Sequence, residues 1–520
     1  MRLLGTVFVV AVVMVFTTAP AGTRQPQAAA PLWIDITAAT IGDTKFWTNK
    51  VEIADLNEDG RPDLLFANGG DYSTPGKPEP NQVFLNGGPG ARFMEATEQV
   101  LGSTPDLARV IKARDLNGDG HVDIIVGTTY QTQSRLFMGM GSGRFNEVTR
   151  TNLPQVMLSV GDIECGDVDG DGDLDLVLAD WGPGNNMTND GGVTRLWLND
   201  GSGKFTDESA ARLPDLKIRF SWDLELADVE NDGDLDVLVS CKRCPGSSLF
   251  RNDGNGHFTD DPRALPQYTN NYEFEPIDLD GDGFLDLVTL NDGDIVKESS
   301  ASRREHVFRN DGKGRFRDAT DTWWPDSANV GEDDNVAAFL DVDSDGDADF
   351  VIGSLSGPDR LLVNDGHGRL QVRLDAFDGP QTPGTLGMAL ADLDGDGRMD
   401  VVQGQGEHPT AIGERVHSGR GLPPDTAPPS VTMVATAEGS GGKIVRARVH
   451  DRKSPSLNFE WKRVETEWTL ANGPRAMPMR WYGEYLWRVD WPADVPAGMP
   501  YRVCATDAAG NRACANGTSP

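Results

Sequence analysis

The sequence predicts an all-β protein: a seven-bladed β-propeller closed by an N-terminal strand, followed by a small β-sandwich. Three observations carry this. A loop of four acidic or amide side chains around a glycine recurs seven times at spacings of 50–63 residues, a period typical of propellers and solenoids. A Gly-rich hairpin signal recurs between those loops, as in "LWLNDGSGKFTDES" (196–209) and "VFRNDGKGRFRDAT" (307–320). The last repeat stops early, at "RVHSGRG" (415–421), and the strand it lacks has its match in "WIDITAAT" (33–40).

Residues 1–21 read as a signal peptide. Arg2 precedes an apolar run, residues 3–16, and Ala19 and Ala21 offer a small-x-small cleavage site, with Ala28 and Ala30 as a second choice. The run is short for a membrane span, and no later stretch is apolar enough to make one. The expected location is secreted, extracellular or periplasmic. A formal charge of −34 repels nucleic acid and anionic lipid but suits divalent cations.

Residues 31–421 form the expected propeller. Each period has an apolar strand before the acidic loop, a second strand after it, and two more around the Gly-rich turn. Four antiparallel strands per repeat describe a blade. A solenoid would have no reason to split its last repeat between the two ends of the chain, whereas a ring closed by the N-terminal strand leaves no open edge.

Positions 1, 3, 5 and 9 of the loops are the candidate metal ligands. They are Asp55, Asn57, Asp59 and Asp63 in the first, Asp115, Asn117, Asp119 and Asp123 in the second, and Asp167, Asp169, Asp171 and Asp175 in the third. The fourth has Asp228, Glu230, Asp232 and Asp236, and the fifth Asp278, Asp280, Asp282 and Asp286. Asp341, Asp343, Asp345 and Asp349 form the sixth, and Asp392, Asp394, Asp396 and Asp400 the seventh. Carboxylates this dense repel one another unless a cation sits among them, and calcium takes six to eight oxygens in flexible geometry. An EF-hand would need an acid at position 12 and flanking helices. Position 12 is Phe66, Val126, Leu178, Val239, Thr289, Ile352 and Gln403, so the loops belong to β-hairpins. Up to seven Ca²⁺ are expected, which would bring the charge from −34 to about −20.

Over residues 33–421 these repeats resemble the FG-GAP and VCBS-type repeats of secreted bacterial proteins, of cartilage acidic protein-like chains and of the integrin α-subunit propeller. The resemblance implies calcium in the loop joining strands 1 and 2 of each blade, and a role in cell adhesion. Glu230 departs from the usual Asp or Asn at its position, which puts the fourth site in doubt.

All the acidic loops and Gly-rich turns fall on one side of the ring. On the other, long loops alternate with short ones, and Trp47, Trp222 and Tyr272 stand near Asp223 and Glu273. Aromatic and carboxylate groups around a concave centre suit a carbohydrate or protein ligand; the same aromatics could equally be wedges between blades. Three residues before each loop stand Glu52, Lys112, Glu164, Glu225, Glu275, Ala338 and Ala389, either lining the channel or paired across blades. No catalytic residues are assigned: the sequence holds no nucleophile elbow and no HExxH. An extracellular binding or adhesion module is the expected function, and a polysaccharide lyase or hydrolase on a calcium-stabilised propeller is the alternative.

A Pro-rich linker, residues 422–430, leads to residues 431–520, where regularly spaced short strands predict a β-sandwich resembling immunoglobulin- or fibronectin-like modules. It is expected to be a separate module. Cys504 and Cys514 flank a turn and suit a disulfide; Cys241 and Cys244 form either a local disulfide or two thiols; Cys165 reads as core. Trp487 and Trp491 alternate with Val489 and read as core too.

Overall fold

The structure, a computed structural model, describes residues 30–517 apart from 72–73, 89–91, 186–187, 243, 292–303, 380–382, 407–412, 440–441, 455–459 and 472. The expected signal peptide lies outside the described residues.

Among the described residues, seven four-stranded antiparallel sheets follow one another from residue 34 to 418. The first consists of Thr48–Ala54, Asp63–Asn68, Gln82–Asn86 and Phe93–Glu95. Its second strand is buried on both faces, as its continuous apolar run demands. The innermost strands of the others are Ala108–Arg114, Val160–Gly166, Leu224–Ala227, Asn271–Ile277, Asp334–Leu340 and Thr385–Ala391. Each packs on the next, and the seventh packs on the first. The architecture is propeller-like, with apolar cores lying between neighbouring sheets.

The seventh sheet takes its outer strand from the other end of the chain: Ile34 pairs with Ser418 and Asp35 with His417. The mechanism repeats that of the other sheets. In the third, the Leu196 N–H donates to Ser209 Oγ (2.9 Å), and the Ser209 N–H donates to Asp207 Oδ1 (3.0 Å). In the seventh, the Val416 N–H donates to Thr37 Oγ1 (3.0 Å), and the Thr37 N–H donates to Asp35 Oδ1 (2.9 Å). The recurring D-x-T/S is thus a clasp between the third and fourth strands. It also starts the one-turn helices Thr97–Val100, Thr149–Asn152, Ser209–Arg212 and Thr320–Trp323, elements that the strand pattern does not announce.

Beyond residue 430 two more four-stranded sheets form. One holds Ser430–Gly439, Gly442–His450, Leu486–Asp490 and Arg480–Gly483. The other holds Gly473–Pro478, Trp461–Leu470, Tyr501–Asp507 and Arg512–Asn516. They share one core, in which Val445, Ala447 and Trp487 meet Val464, Trp468 and Val503, with Trp491 packed against it. Disulfides join Cys504 to Cys514 and Cys241 to Cys244, and Cys165 is buried and unpaired.

The expectation of a separate C-terminal module is corrected by its contacts. The turn between Arg480–Gly483 and Leu486–Asp490 enters the loop side of the ring. There the Asp167 N–H donates to Tyr482 O (2.8 Å), the Tyr482 hydroxyl to Gly233 O (3.0 Å) and the Tyr485 hydroxyl to Pro276 O (3.1 Å). The linker is laid down as well: the Thr426 N–H donates to Ser344 Oγ (2.7 Å) in the sixth loop, and Arg398 Nε donates to Leu422 O (2.8 Å).

Candidate metal centres

Each acidic loop is held by its own backbone. In the first, the Asp59 and Gly60 N–H groups donate to the two oxygens of Asp55 (3.0 and 2.8 Å), and the Asp59 N–H is shared with Asn57 Oδ1 (3.0 Å). Such a turn needs a left-handed residue at position 6, and Gly60 has φ of 80°. The carboxylates are thereby turned inward. Donor oxygens within 4.8 Å of one another occur at Asp167, Asp169 and Asp175, at Asp278, Asp280 and Asp282, at Asp341, Asp343 and Asp349, and at Asp392, Asp394 and Asp400.

The ninth position does more than the ligand role expected of it. Asp63 Oδ2 accepts the Leu56 N–H (2.9 Å), and its Oδ1 accepts the Asn86 N–H of the third strand (2.7 Å). Asp123, Asp175, Asp236, Asp286, Asp349 and Asp400 repeat this brace between loop and sheet. Burial pushes Asp63 and Asp123 up to about 7, and Asp286 and Asp349 up to about 8. A cation in the loop would act in the opposite sense and hold them ionised.

The fit to a hard cation rests on oxygens left without donors. Asp115 Oδ1, Asp167 Oδ1 and Asp280 Oδ1 are buried and accept no hydrogen bond. Orphaned carboxylate oxygens are costly in a protein interior, and a calcium ion accepts oxygen ligands of this kind.

The loops are not equivalent. Arg488 of the C-terminal module pairs with Asp167, whose carboxyl burial still pushes up to about 6. Arg446 donates to Asp234 Oδ1 (2.8 Å), Gly233 O (2.8 Å) and Asp232 O (2.7 Å). Arg448 donates to Asp228 O (2.7 Å) and stands 3.7 Å from Asp228 Oδ2. Glu230, the departure in the fourth loop, pairs with Arg251. The fourth loop therefore has three guanidinium groups around it.

The hairpin asparagines were missed by the sequence reading, which took them only as turn formers. Asn199 Nδ2 donates to Leu116 O (2.6 Å), Asn252 Nδ2 to Val168 O (2.8 Å), Asn310 Nδ2 to Val229 O (2.8 Å), Asn364 Nδ2 to Leu279 O (2.9 Å) and Asn86 Nδ2 to Leu393 O (2.8 Å). In every case the acceptor is position 2 of the preceding sheet's acidic loop, so each asparagine latches one sheet to its neighbour. The signal was legible as an Asn recurring at the start of each Asn-Asp-Gly turn.

On the far side of the ring the structure changes the expected ligand surface. Trp222 is 2% exposed and stacks on Trp181 (5.9 Å between centroids), with the Arg109 guanidinium 3.5 Å over its ring. It is a wedge. Asp223 and Glu273 are buried in the channel. Trp47 is half-buried, and the Tyr272 side chain lies outside the described residues. Of the row before the loops, Lys112 pairs with Glu164 and Arg114 with Glu52, so these residues both line the channel and pair across sheets.

Among solved structures, the chain is similar to BBS1N in its complex with ARL6DN, with a TM-score of 0.44 and 10% identity over 77% of this chain and 99% of that one. It is also similar to the V. cholerae biofilm matrix protein Bap1 (TM-score 0.35, 15% identity, 91% and 73% covered) and to puromycin hydrolase (0.43, 15%, 81% and 61%). No curated protein matches. The FG-GAP-like repeat matches at residues 55–126, 115–178, 181–239, 245–289 and 341–402, more than half of the chain. With those matches spread over all seven of its acidic loops, the chain belongs to the FG-GAP-like repeat family.

Proposed function

We propose that this is an exported, calcium-stabilised seven-bladed propeller carrying an immunoglobulin- or fibronectin-like module, and that it serves as an extracellular binding and adhesion module for a carbohydrate or protein ligand. The calcium reading is carried by the orphaned carboxylate oxygens of Asp115, Asp167 and Asp280. Two disulfides support an oxidising compartment. At extracellular calcium, each filled loop adds roughly 0.4–1.4 kcal/mol, for affinities on the order of 10⁻⁴–10⁻³ M. The metal's role is structural. Because the module and linker occupy part of the loop side, the ligand surface is assigned to the far side, around Trp47 and over the buried Trp181–Trp222 stack.

Two measurements test this. Chelation is expected to lower the melting temperature by many degrees, reversed by calcium and not by magnesium; a melting curve indifferent to chelator removes the metal from the reading. A glycan array read together with release of unsaturated sugars separates binding from lyase activity. Trp47→Ala is expected to weaken a captured ligand by about 2 kcal/mol, roughly thirtyfold. Trp222→Ala is expected to cost about 3–5 kcal/mol of stability instead.

A further inference from the structure

The seven loops share a pattern of acids but not a pattern of charge. In the third, sixth and seventh, positions 1, 3 and 9 bring one carboxylate oxygen each within 4.8 Å of the others. That is the spread of oxygens around one calcium bound at about 2.3–2.6 Å. In the fourth loop a side chain of the ring itself already reaches two of these positions. Arg251 Nη1 pairs with Glu230, at position 3, and lies 3.9 Å from Asp236 Oδ2, at position 9. Arg251 Nη2 donates to Gly314 O and lies 3.6 Å from Asp261 Oδ2. The guanidinium is thus held from both sides, with one edge turned to the acids that converge on an ion elsewhere.

The third and fifth loops also meet arginines, yet each keeps an oxygen for an ion. Arg488 pairs with Asp167 Oδ2 and leaves Oδ1 buried without a donor. Arg309 holds the same strand position as Arg251, one residue before the hairpin asparagine. It lies 2.7 Å from Asp280 Oδ2 and 3.1 Å from Asp282 Oδ2, but Asp280 Oδ1 stays buried without a donor, and Asp278, Asp280 and Asp282 still converge. Arg309 is also 49% exposed where Arg251 is 17%, so water screens its charge far more. Among the described residues, no carboxylate oxygen at positions 1, 3, 5 or 9 of the fourth loop is buried without a donor. Two letters of the sequence account for the difference. Glu230 is one methylene longer than the Asp or Asn of the other six loops, and Arg251 stands where the first, third and sixth sheets have Leu85, Leu198 and Val363.

We propose that the Arg251 guanidinium takes the place of the metal in the fourth loop, so that this loop closes without calcium. The proposal rests on calcium filling other loops of the ring. A guanidinium is always charged and more weakly hydrated than an ammonium, which suits it to a half-enclosed pair with carboxylates. A divalent ion entering here would have to share Glu230 and Asp236 with that fixed charge, and like charges a few ångströms apart repel strongly where water is scarce. Position 1 is engaged as well: Asp228 accepts the Asp232 N–H (3.0 Å) and the Gly233 N–H (2.8 Å), with Arg448 3.7 Å from its Oδ2. The loop that departs from the metal pattern is thus the one on which Arg446 and Arg448 of the C-terminal module rest through its backbone carbonyls.

The test uses the full chain and calcium itself, counted per chain by elemental analysis after equilibration in millimolar calcium. Asp232→Ala, at position 5 of the fourth loop, is expected to leave the count unchanged. Asp345→Ala, at the same position of the sixth, is expected to lower it by one. Each change removes the acceptor of one loop N–H, so the two variants are matched. A loss of one equivalent in Asp232→Ala overturns the proposal, and if Asp345→Ala loses one too, the calcium reading itself stands. A loss in neither removes calcium from the loops and overturns both together. Glu230→Asp with Arg251→Leu copies Asp169 and Leu198 of the third loop and is expected to bind one equivalent more than wild type. No gain in a folded variant overturns the proposal, and if the double variant does not fold, the matched pair decides.

Discussion

The third and fourth acidic loops and the first and second have nearly the same sequence pattern but sit in different surroundings. Asp167 is 4% exposed and Asp228 1%, each under an arginine of the C-terminal module. Asp55 and Asp115 are only half-buried; both oxygens of Asp55 and Oδ2 of Asp115 accept their own loops' N–H groups, and Asp115 Oδ1 has no donor. The position-6 glycines register the same difference. A Cβ added at Gly172 or Gly233 would meet Arg480 or Arg446, whereas at Gly60 and Gly120 it would meet nothing. What this teaches is that one protein gives the same carboxylate cluster two surroundings. The covered loops receive arginines from the C-terminal module, whereas the first loop has only its own Arg61 against Asp59 and the second has no arginine paired with its acids among the described residues.

The contrast can be broken most strongly at the arginines. Replacing Arg446, Arg448 and Arg488 together by Ala strands buried carboxylates and unpairs loop carbonyls. Losing one partner of a buried pair costs about 3–5 kcal/mol, so the triple variant is expected to lose at least that much. Its melting temperature is expected to become more dependent on calcium than wild type's. Calorimetry in calcium and in chelator measures both, and a variant that melts like wild type would show that the covered loops do not use these arginines.

A smaller effect separates the two regions by pH. His450 lies in the strand Gly442–His450, 5.2 Å from the Tyr485 ring in the docked turn. Burial, and then Arg452 and Arg448, pull its pKa down to about 3. Between that value and the unfolded value near 6.5 the unfolded chain binds more protons, so the histidine's contribution to stability is lost as pH falls through this window, by at most about 1.4 kcal/mol per unit. His450→Asn is expected to flatten that slope. If acid unfolding keeps the wild-type slope in the variant, the titrating group lies elsewhere.

The smallest effect concerns the latches between sheets. Asn199→Ala leaves Leu116 O and Leu174 O without their side-chain donor, at a cost of about 1–3 kcal/mol. The second sheet has Gly139 at the equivalent position, so no such latch reaches the first loop. Gly139→Asn is not a gain to expect, because a Cβ there would stand 2.3 Å from Val122 O. Hydrogen exchange is expected to be faster at the first loop than at the second in wild type, and equal at the two in Asn199→Ala.

The repeat period, the hairpins and the completing strand "WIDITAAT" were legible in the sequence, and for a physical reason. Alternation, turn glycines and the D-x-T/S clasp are short-range features, dictated by backbone sterics and by burial between neighbouring strands. The loop carboxylates were legible because they recur at one fixed spacing around a turn glycine. The role of the ninth aspartate as a brace, the asparagine latches and the burial of Trp222, Asp223 and Glu273 were only half-visible, as recurring letters without partners. The rest belongs to the tertiary structure. Arg488 lies 321 residues from Asp167 and Arg446 lies 212 from Asp234. Neither pair has a spacing signature, because an ion pair requires only that two surfaces meet, not that their residues recur. In the same way, one end of the chain supplied a strand pattern that announced its place in the ring. The other end supplied arginines whose partners appeared only once the module was seated on the loops.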